Sequence, residues 1–300
     1  MIPALQKNDL VYICSPAKAI ESAHIDYAMQ LFEAKGYRVE VSKHALGQSS
    51  YFSGTEEERL EDFQNALNRP EVKAIVCSRG GYGCVHLLER IDWSKFENSP
   101  KWILGFSDVT YFHLDLLSKG FPSLHCTMPL DYQNNTTETI NSMFQALEGE
   151  DIRLEGQVND LQSKGSAKGA MIGGNLSILF ALLSRHGLEL YRDKILFIED
   201  VGEHVYHYDR IFQAFKFAGI QKVIKGLVVG GFSNTRDTQT PFGKSLEEVI
   251  HHHFGEQSYP VGFGFPVGHQ PENEAVICGA EAELLVRDDK VQLIISNPSA

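Results

Sequence analysis

A serine becomes a nucleophile at neutral pH when an imidazole takes its proton and a carboxylate fixes the tautomer of that imidazole. This chain offers a residue for each role: two lie at the end of an apolar run and the third in a turn-rich segment. Gly105-Phe106-Ser107-Asp108 sets a serine between a strand and a helix, the placement that pushes Oγ out of a sheet. The G-x-S-x-G pattern is incomplete, with Val109 in the last position, and a serine before a helix is also a good N-cap. His269 closes Gly264-Phe265-Pro266-Val267-Gly268-His269, a turn-rich segment that can hold an imidazole over a scaffold. Glu199 follows the apolar run Ile195 to Ile198, so its carboxylate emerges at a strand end, while Asp200 points elsewhere or caps the next turn. The pair Glu199-Asp200 also reads as a solvated strand terminus. The order nucleophile, acid, base is compatible with a triad without proving one.

Other motifs point to weaker chemistry. In Ser78-Arg79-Gly80-Gly81-Tyr82-Gly83 a dinucleotide fingerprint would need glycine at position 86, where His86 stands. Gly243-Lys244-Ser245 resembles the end of a P-loop, but Thr238 occupies the place of the first glycine. Gly80 and Gly81 can present backbone N–H groups at a tight turn, as an oxyanion hole requires, or serve as a plain steric turn. Glu203, His204 and His207 could share a helical face as metal ligands, although Tyr206 and Tyr208 suit an ordinary packing surface. His251-His252-His253 falls on a polar helix end, where adjacent side chains diverge.

These residues need elements to position them. Val11 to Cys14, Tyr37 to Val41, Ala74 to Cys77 and Trp102 to Phe106 read as strands; Ile25 to Lys35, Glu56 to Leu67 and Val109 to Leu117 read as helices. Such alternation predicts an α/β protein whose first part is a flavodoxin-like parallel sheet. Residues 1–133 are expected to form that nucleophile-bearing domain, the polar stretch 134–168 a linker, and 169–300 a second, mixed α/β domain. There Leu176 to Leu183 and Arg210 to Ala218 read as helices, and Ile195 to Ile198, Gly226 to Gly230 and Leu284 to Val286 as strands.

Composition sets the outer bounds. Of 300 residues, 43% are hydrophobic and 22% charged, a globular balance. The formal charge of −12 repels phosphate backbones and anionic lipid surfaces, so nucleic acid is not an expected partner. No apolar run reaches membrane-spanning length, and without a basic n-region or apolar h-region at the start the cytoplasm is the expected compartment. Five cysteines with no Cys-x-x-Cys pair read as buried thiols rather than disulfides or zinc ligands.

Six blocks taken together narrow the reading: Phe52-Ser53-Gly54-Thr55-Glu56-Glu57-Glu58-Arg59, the glycine run from Ser78 to Gly83, Gly105 to Thr110, Gly173-Gly174-Asn175-Leu176-Ser177, Leu196 to Glu203, and Gly268-His269. In this order they resemble the LD-carboxypeptidase family, serine peptidases that include murein tetrapeptide carboxypeptidases and microcin C immunity peptidases. The resemblance implies a catalytic Ser107, Glu199 and His269, with oxyanion donors from the backbone amides of Asp108 and Gly81. It also implies a cytoplasmic, often homodimeric enzyme that needs no cofactor or metal and acts on a small murein-derived peptide, releasing a terminal D-Ala from an L-centre. The chain departs from the family pattern at His125-Cys126-Thr127, Ser184-Arg185-His186-Gly187 and Gln270-Pro271-Glu272-Asn273-Glu274, which bears on the acceptor pocket. The alternatives are the same triad acting on an aminoacyl-nucleotide, a metallohydrolase built on Glu203, His204 and His207, and a non-catalytic α/β ligand-binding protein in which Ser107 is a cap.

Overall fold

The computed structural model describes residues 2–299, and its strands form two sheets. The strands are β1 (Leu10–Cys14), β2 (Arg38–Val41), β3 (Val72–Cys77), β4 (Trp102–Gly105), β5 (Ser123–His125), β6 (Ile152–Glu155), β7 (Gly165–Asn175), β8 (Ile195–Val201), β9 (Gly226–Ser233), β10 (Val261–Gly262), β11 (Val276–Cys278), β12 (Glu281–Val286) and β13 (Val291–Ile295). The helices are α1 (Ser22–Ala34), α2 (Glu56–Asn68), α3 (Cys84–Leu87), α4 (Ser94–Asn98), α5 (Thr110–Ser118), α6 (Thr137–Leu147), α7 (Leu176–Ala181), α8 (Leu183–His186), α9 (Val205–Ala218) and α10 (Leu246–Phe254).

The first sheet has the order β11-β5-β4-β3-β1-β2. Strands β1 to β5 pair in parallel with the flavodoxin-like sequence of neighbours, as expected. β1, β3 and β4 are short and almost wholly apolar because a parallel sheet is covered on both faces. Leu10, Tyr12 and Cys14 join one core cluster and Val11 and Ile13 the other, so successive residues of one strand serve opposite faces. The second sheet, β10-β9-β8-β7-β12-β13-β6, is mixed: β7 to β10 are parallel, and β12, β13 and β6 are antiparallel.

Two arrangements differ from the sequence reading. Residues 134–168, expected as a linker, carry α6 and β6, and β6 closes the edge of the second sheet against β13. β11, from the C-terminal part, crosses back and pairs antiparallel with β5 of the first sheet. Polar residues hid α6 and β6. In β6 the alternation of Ile152 and Leu154 with Arg153 and Glu155 is a one-sided strand only four residues long. The pairing of β11 with β5 is long-range and leaves no local signal.

The two sheets meet where β7 runs into α7. A Cβ on Gly174, at φ +134, would lie 2.6 Å from Thr110 Oγ1, and that hydroxyl accepts the Asn175 N–H at 3.1 Å. The absence of a side chain at position 174 therefore lets α5 of the first domain seat against β7 of the second. Gly174→Ala is expected to lower the unfolding free energy by about 1–3 kcal/mol through overpacking, read as a lower urea midpoint. An unchanged midpoint would mean that this approach is not constrained.

Candidate active site

The site is assembled where the carboxyl ends of β3, β4 and β8 face one another, the region in which open α/β sheets bind ligands. After β4, the chain turns through a short 3-10 segment, Ser107–Val109, into α5. Ser107 has φ +60, a left-handed conformation that costs a non-glycine residue about 1–3 kcal/mol and persists only when its surroundings enforce it. Here buried Phe106 anchors one side, and on the other the Asp108 carboxylate accepts the Cys84 N–H at 2.8 Å. Phe106, not Ser107, holds the N-cap position, and no side-chain hydrogen bond closes that end. The capping role is thus not what the serine does in this structure.

The glycine turn after β3 closes directly on the serine. A Cβ at Gly80 would come within 2.9 Å of Ser107 Cβ, 3.1 Å of Ser107 Oγ and 3.2 Å of the Asp108 nitrogen. Gly81, at φ +111, faces Tyr51 and Lys18 in the same way, at 2.9 and 3.0 Å. Backbone rather than side chains therefore borders the hydroxyl, as the stabilisation of an oxyanion by N–H groups requires.

Glu199 stands at the end of β8 with 0% exposure, and its Oε2 accepts from His269 Nδ1 at 2.7 Å. A carboxylate can only accept, so the imidazole proton resides on Nδ1 and a neutral ring keeps Nε2 free as a base. The second oxygen, Oε1, is buried with no protein partner. Burial alone would lower the His269 pKa, but the charge and hydrogen bond of Glu199, helped by Asp200 and Asp131, raise it above the usual histidine value. Asp200 points away: it accepts from Asn175 Nδ2 and from the N–H and hydroxyl of Ser177, at the start of α7.

The loop that carries His269 is pinned by residues that sequence reasoning placed in a linker. Gly268, at φ +130, leaves Glu199 room, since a Cβ there would lie 2.9 Å from Glu199 Cβ, and its N–H donates to Asn273 Oδ1 at 2.9 Å. The Asn273 N–H in turn donates to Thr139 Oγ1 at 2.9 Å, and Pro271 O accepts from Asn135 Nδ2 at 3.0 Å. The His269 ring packs on Phe106 with centroids 4.7 Å apart, which sets it beside the serine turn. Ser107, Gly80, Gly81 and His269 line one cavity of about 460 Å³, together with Arg79 and Asp131, neither of which was singled out as a site residue. Behind Phe106, burial holds the His125 imidazole far below its ordinary pKa and that of His113 at about 4, so both rings are neutral there.

The other motifs do not converge. His207 Nδ1 and Glu203 Oε2 form a pair at 2.6 Å, His204 precedes α9, and no group of three or more His, Cys, Asp or Glu among the described residues could hold a metal ion. His253 turns inward to Asp209 at 2.9 Å. All five cysteines are free and buried. No helix among the described residues is long and apolar enough to cross a membrane.

Comparison with known proteins accords with this geometry. A family model described as the LD-carboxypeptidase N-terminal domain matches residues 11–126, and one described as the LD-carboxypeptidase C-terminal domain matches residues 168–284. A probable murein peptide carboxypeptidase of Bacillus subtilis is 31% identical over 94% of this chain and 90% of its own length. The murein tetrapeptide carboxypeptidase of Pseudomonas aeruginosa is 29% identical over 91% and 92%. Among solved structures, muramoyltetrapeptide carboxypeptidase from Oxalobacter formigenes superposes with a TM-score of 0.86 at 26% identity, covering 96% of this chain and 98% of the other. A microcin C7 self-immunity protein in complex with aspartyl sulfamoyl adenosine shares the fold, with a TM-score of 0.85 at 19% identity, over 99% and 98%.

The coupling of His269 to Glu199 is directly measurable. In an NMR titration, His269 should ionise above the ordinary value of 6.5, and Glu199→Gln should lower that pKa. Because the folded pKa is raised, the stability contributed by the pair is fully present below the unfolded histidine pKa and is lost as pH rises through the folded one. The stability difference between wild type and Glu199→Gln should accordingly shrink as pH climbs past that higher value. A His269 pKa unmoved by the substitution would assign the shift to another carboxylate.

Proposed function

Since the chain belongs to the LD-carboxypeptidase family of serine peptidases, we propose that it removes a terminal D-amino acid, D-Ala in the first instance, from murein-derived tetrapeptides, with Ser107 as nucleophile, His269 as base and Glu199 as its partner. The observation that carries the assignment is the shared cavity. A serine held at positive φ faces the same space as an imidazole whose Nδ1 is committed to a fully buried carboxylate.

The chemistry follows from the proton positions. His269 Nε2 takes the hydroxyl proton as Ser107 Oγ adds to the scissile carbonyl, and the imidazolium so formed is stabilised by Glu199. The amides of Asp108 and Gly81 oppose the developing oxyanion; loss of one such donor typically costs about 2.7–4 kcal/mol of transition-state stabilisation. The imidazolium then protonates the departing amine, the C–N bond breaks, and water, deprotonated by the same histidine, hydrolyses the acyl-enzyme. Asp200, bound to the start of α7, takes no part in these proton transfers. The relatives' names support a murein peptide as substrate, and the family resemblance supports a cytoplasmic setting and a homodimer. The charge of −12 argues against a nucleic-acid substrate.

Purified protein should release D-Ala from a peptide in which it is joined to an L-centre, and react at least about a hundredfold more slowly with the L-Ala diastereomer, because inversion misplaces the carbonyl relative to Ser107 and a misplacement of about 1 Å costs on the order of 10²-fold. Ser107→Ala should abolish release and fluorophosphonate labelling while leaving the thermal transition in place. Activity of that variant near wild type would exclude the serine mechanism, and equal turnover of both diastereomers would exclude LD specificity. The kcat/KM of the free enzyme should rise with pH through the raised His269 ionisation, since only neutral imidazole accepts the serine proton.

A further inference from the structure

An enzyme that removes a terminal residue must recognise a free carboxylate, and the site contains one cation suited to it. Among the residues lining the cavity at Ser107, Arg79 is the sole lysine or arginine. It directly precedes Gly80, which touches Ser107, so its backbone is fixed to the turn that borders the reacting carbonyl. In a substrate, only an amide nitrogen and one α-carbon separate the scissile carbonyl from the terminal carboxylate. Arg79, next to Gly80 in the chain, lines the same cavity as Ser107 and is therefore the cation placed to meet that carboxylate.

The hydrogen bonds of Arg79 leave it available. Nη1 donates to Ala19 O at 3.1 Å, which steadies the side chain, whereas Nε is buried without a partner. No carboxylate among the described residues lies within salt-bridge distance of it, in contrast to Arg69, Arg90, Arg185 and Arg192. Arg79 is half-buried at the cavity wall with no such salt bridge to hold it, and a planar fork of donors matches a carboxylate in two parallel hydrogen bonds. Arg79 also lines a second cavity of about 550 Å³, where Lys18 sits 4.8 Å over the Tyr51 ring beside His24 and Glu21. Lys18 and His24 border that second cavity and not the first, so of the residues lining both, Arg79 and Leu130, only Arg79 carries a charge.

We propose that Arg79 binds the terminal carboxylate of the substrate and so makes the enzyme an exopeptidase. The proposal rests on the carboxypeptidase reading above and adds the residue that would enforce it. Asp131 lines the same cavity, beyond salt-bridge distance of Arg79, and burial raises its pKa, which weakens its competition for the guanidinium.

The test compares one LD-peptide as its free acid and as its C-terminal amide. Wild type should strongly prefer the acid. Arg79→Gln should lower kcat/KM for the acid by about 30-fold or more, mainly through KM, and leave the amide nearly unchanged, so the preference collapses. Arg79→Lys, which keeps the charge but not the fork, should retain part of it. A role confined to holding Ala19 would slow both substrates equally. An acid-to-amide ratio within about twofold of wild type in Arg79→Gln, with an unchanged thermal transition, overturns the proposal. Binding separates this from failure of the peptidase reading: in the Ser107→Ala background, calorimetry should show the acid bound more tightly than the amide and the difference lost on adding Arg79→Gln. Equal binding of acid and amide before Arg79 is changed also overturns it.

Discussion

A carboxylate with no exposure to water imposes the strongest constraint in this molecule. Glu199 pays a large desolvation cost, and His269 Nδ1 is its hydrogen-bond partner at 2.7 Å. Everything nearby is arranged so that this contact can exist. Gly268 lacks a Cβ where one would strike Glu199, Asn273 and Thr139 hold the loop from behind, and Asp200 is turned to α7, where it cannot compete for the imidazole. The imidazole is therefore held by one nitrogen only, which is the condition for using the other.

The serine is placed by a different economy. Its left-handed backbone is a local expense, offset by Phe106 packing and by Asp108 tying the turn to α3. Glycines at 80 and 174 then allow two close approaches, one of the oxyanion turn to the serine and one of β7 to α5. The site is thus built by omitting side chains at contact points, so that rigid backbone does the positioning.

Much of this was legible in the sequence. The strands β1, β3 and β4 are continuous apolar runs, Ser107 and Glu199 stand where such runs end, and His269 closes a glycine- and proline-bearing turn, so element and chemistry could be read together. Other parts carried no local signal. β7 is rich in glycine, alanine and serine and owes its strand state to pairing with β8 and β12. Asn135 and Thr139 looked like linker polarity, because their partners, Pro271 and the Asn273 N–H, lie far along the chain. Arg79 was quoted only as part of a glycine motif, and its unpaired state depends on which carboxylates the fold brings near. Hydropathy reports which residues are buried but says nothing of which distant partner meets them.

The return of β11 to the first sheet has a consequence for how the protein is made. Val276 pairs with His125, so β5 stays an open edge during synthesis until more than half of the polypeptide has followed it. Unpaired N–H and C=O groups at that edge are a template for foreign strands, and contacts between residues so distant along the chain form slowly. The nascent N-terminal half therefore leaves the ribosome unfinished, exposed to aggregation and to chaperone capture, and is sealed only when the segment behind His269 arrives. The last strand to complete the first sheet follows the histidine by seven residues, so closing that edge and delivering the base to the serine are parts of one late folding event.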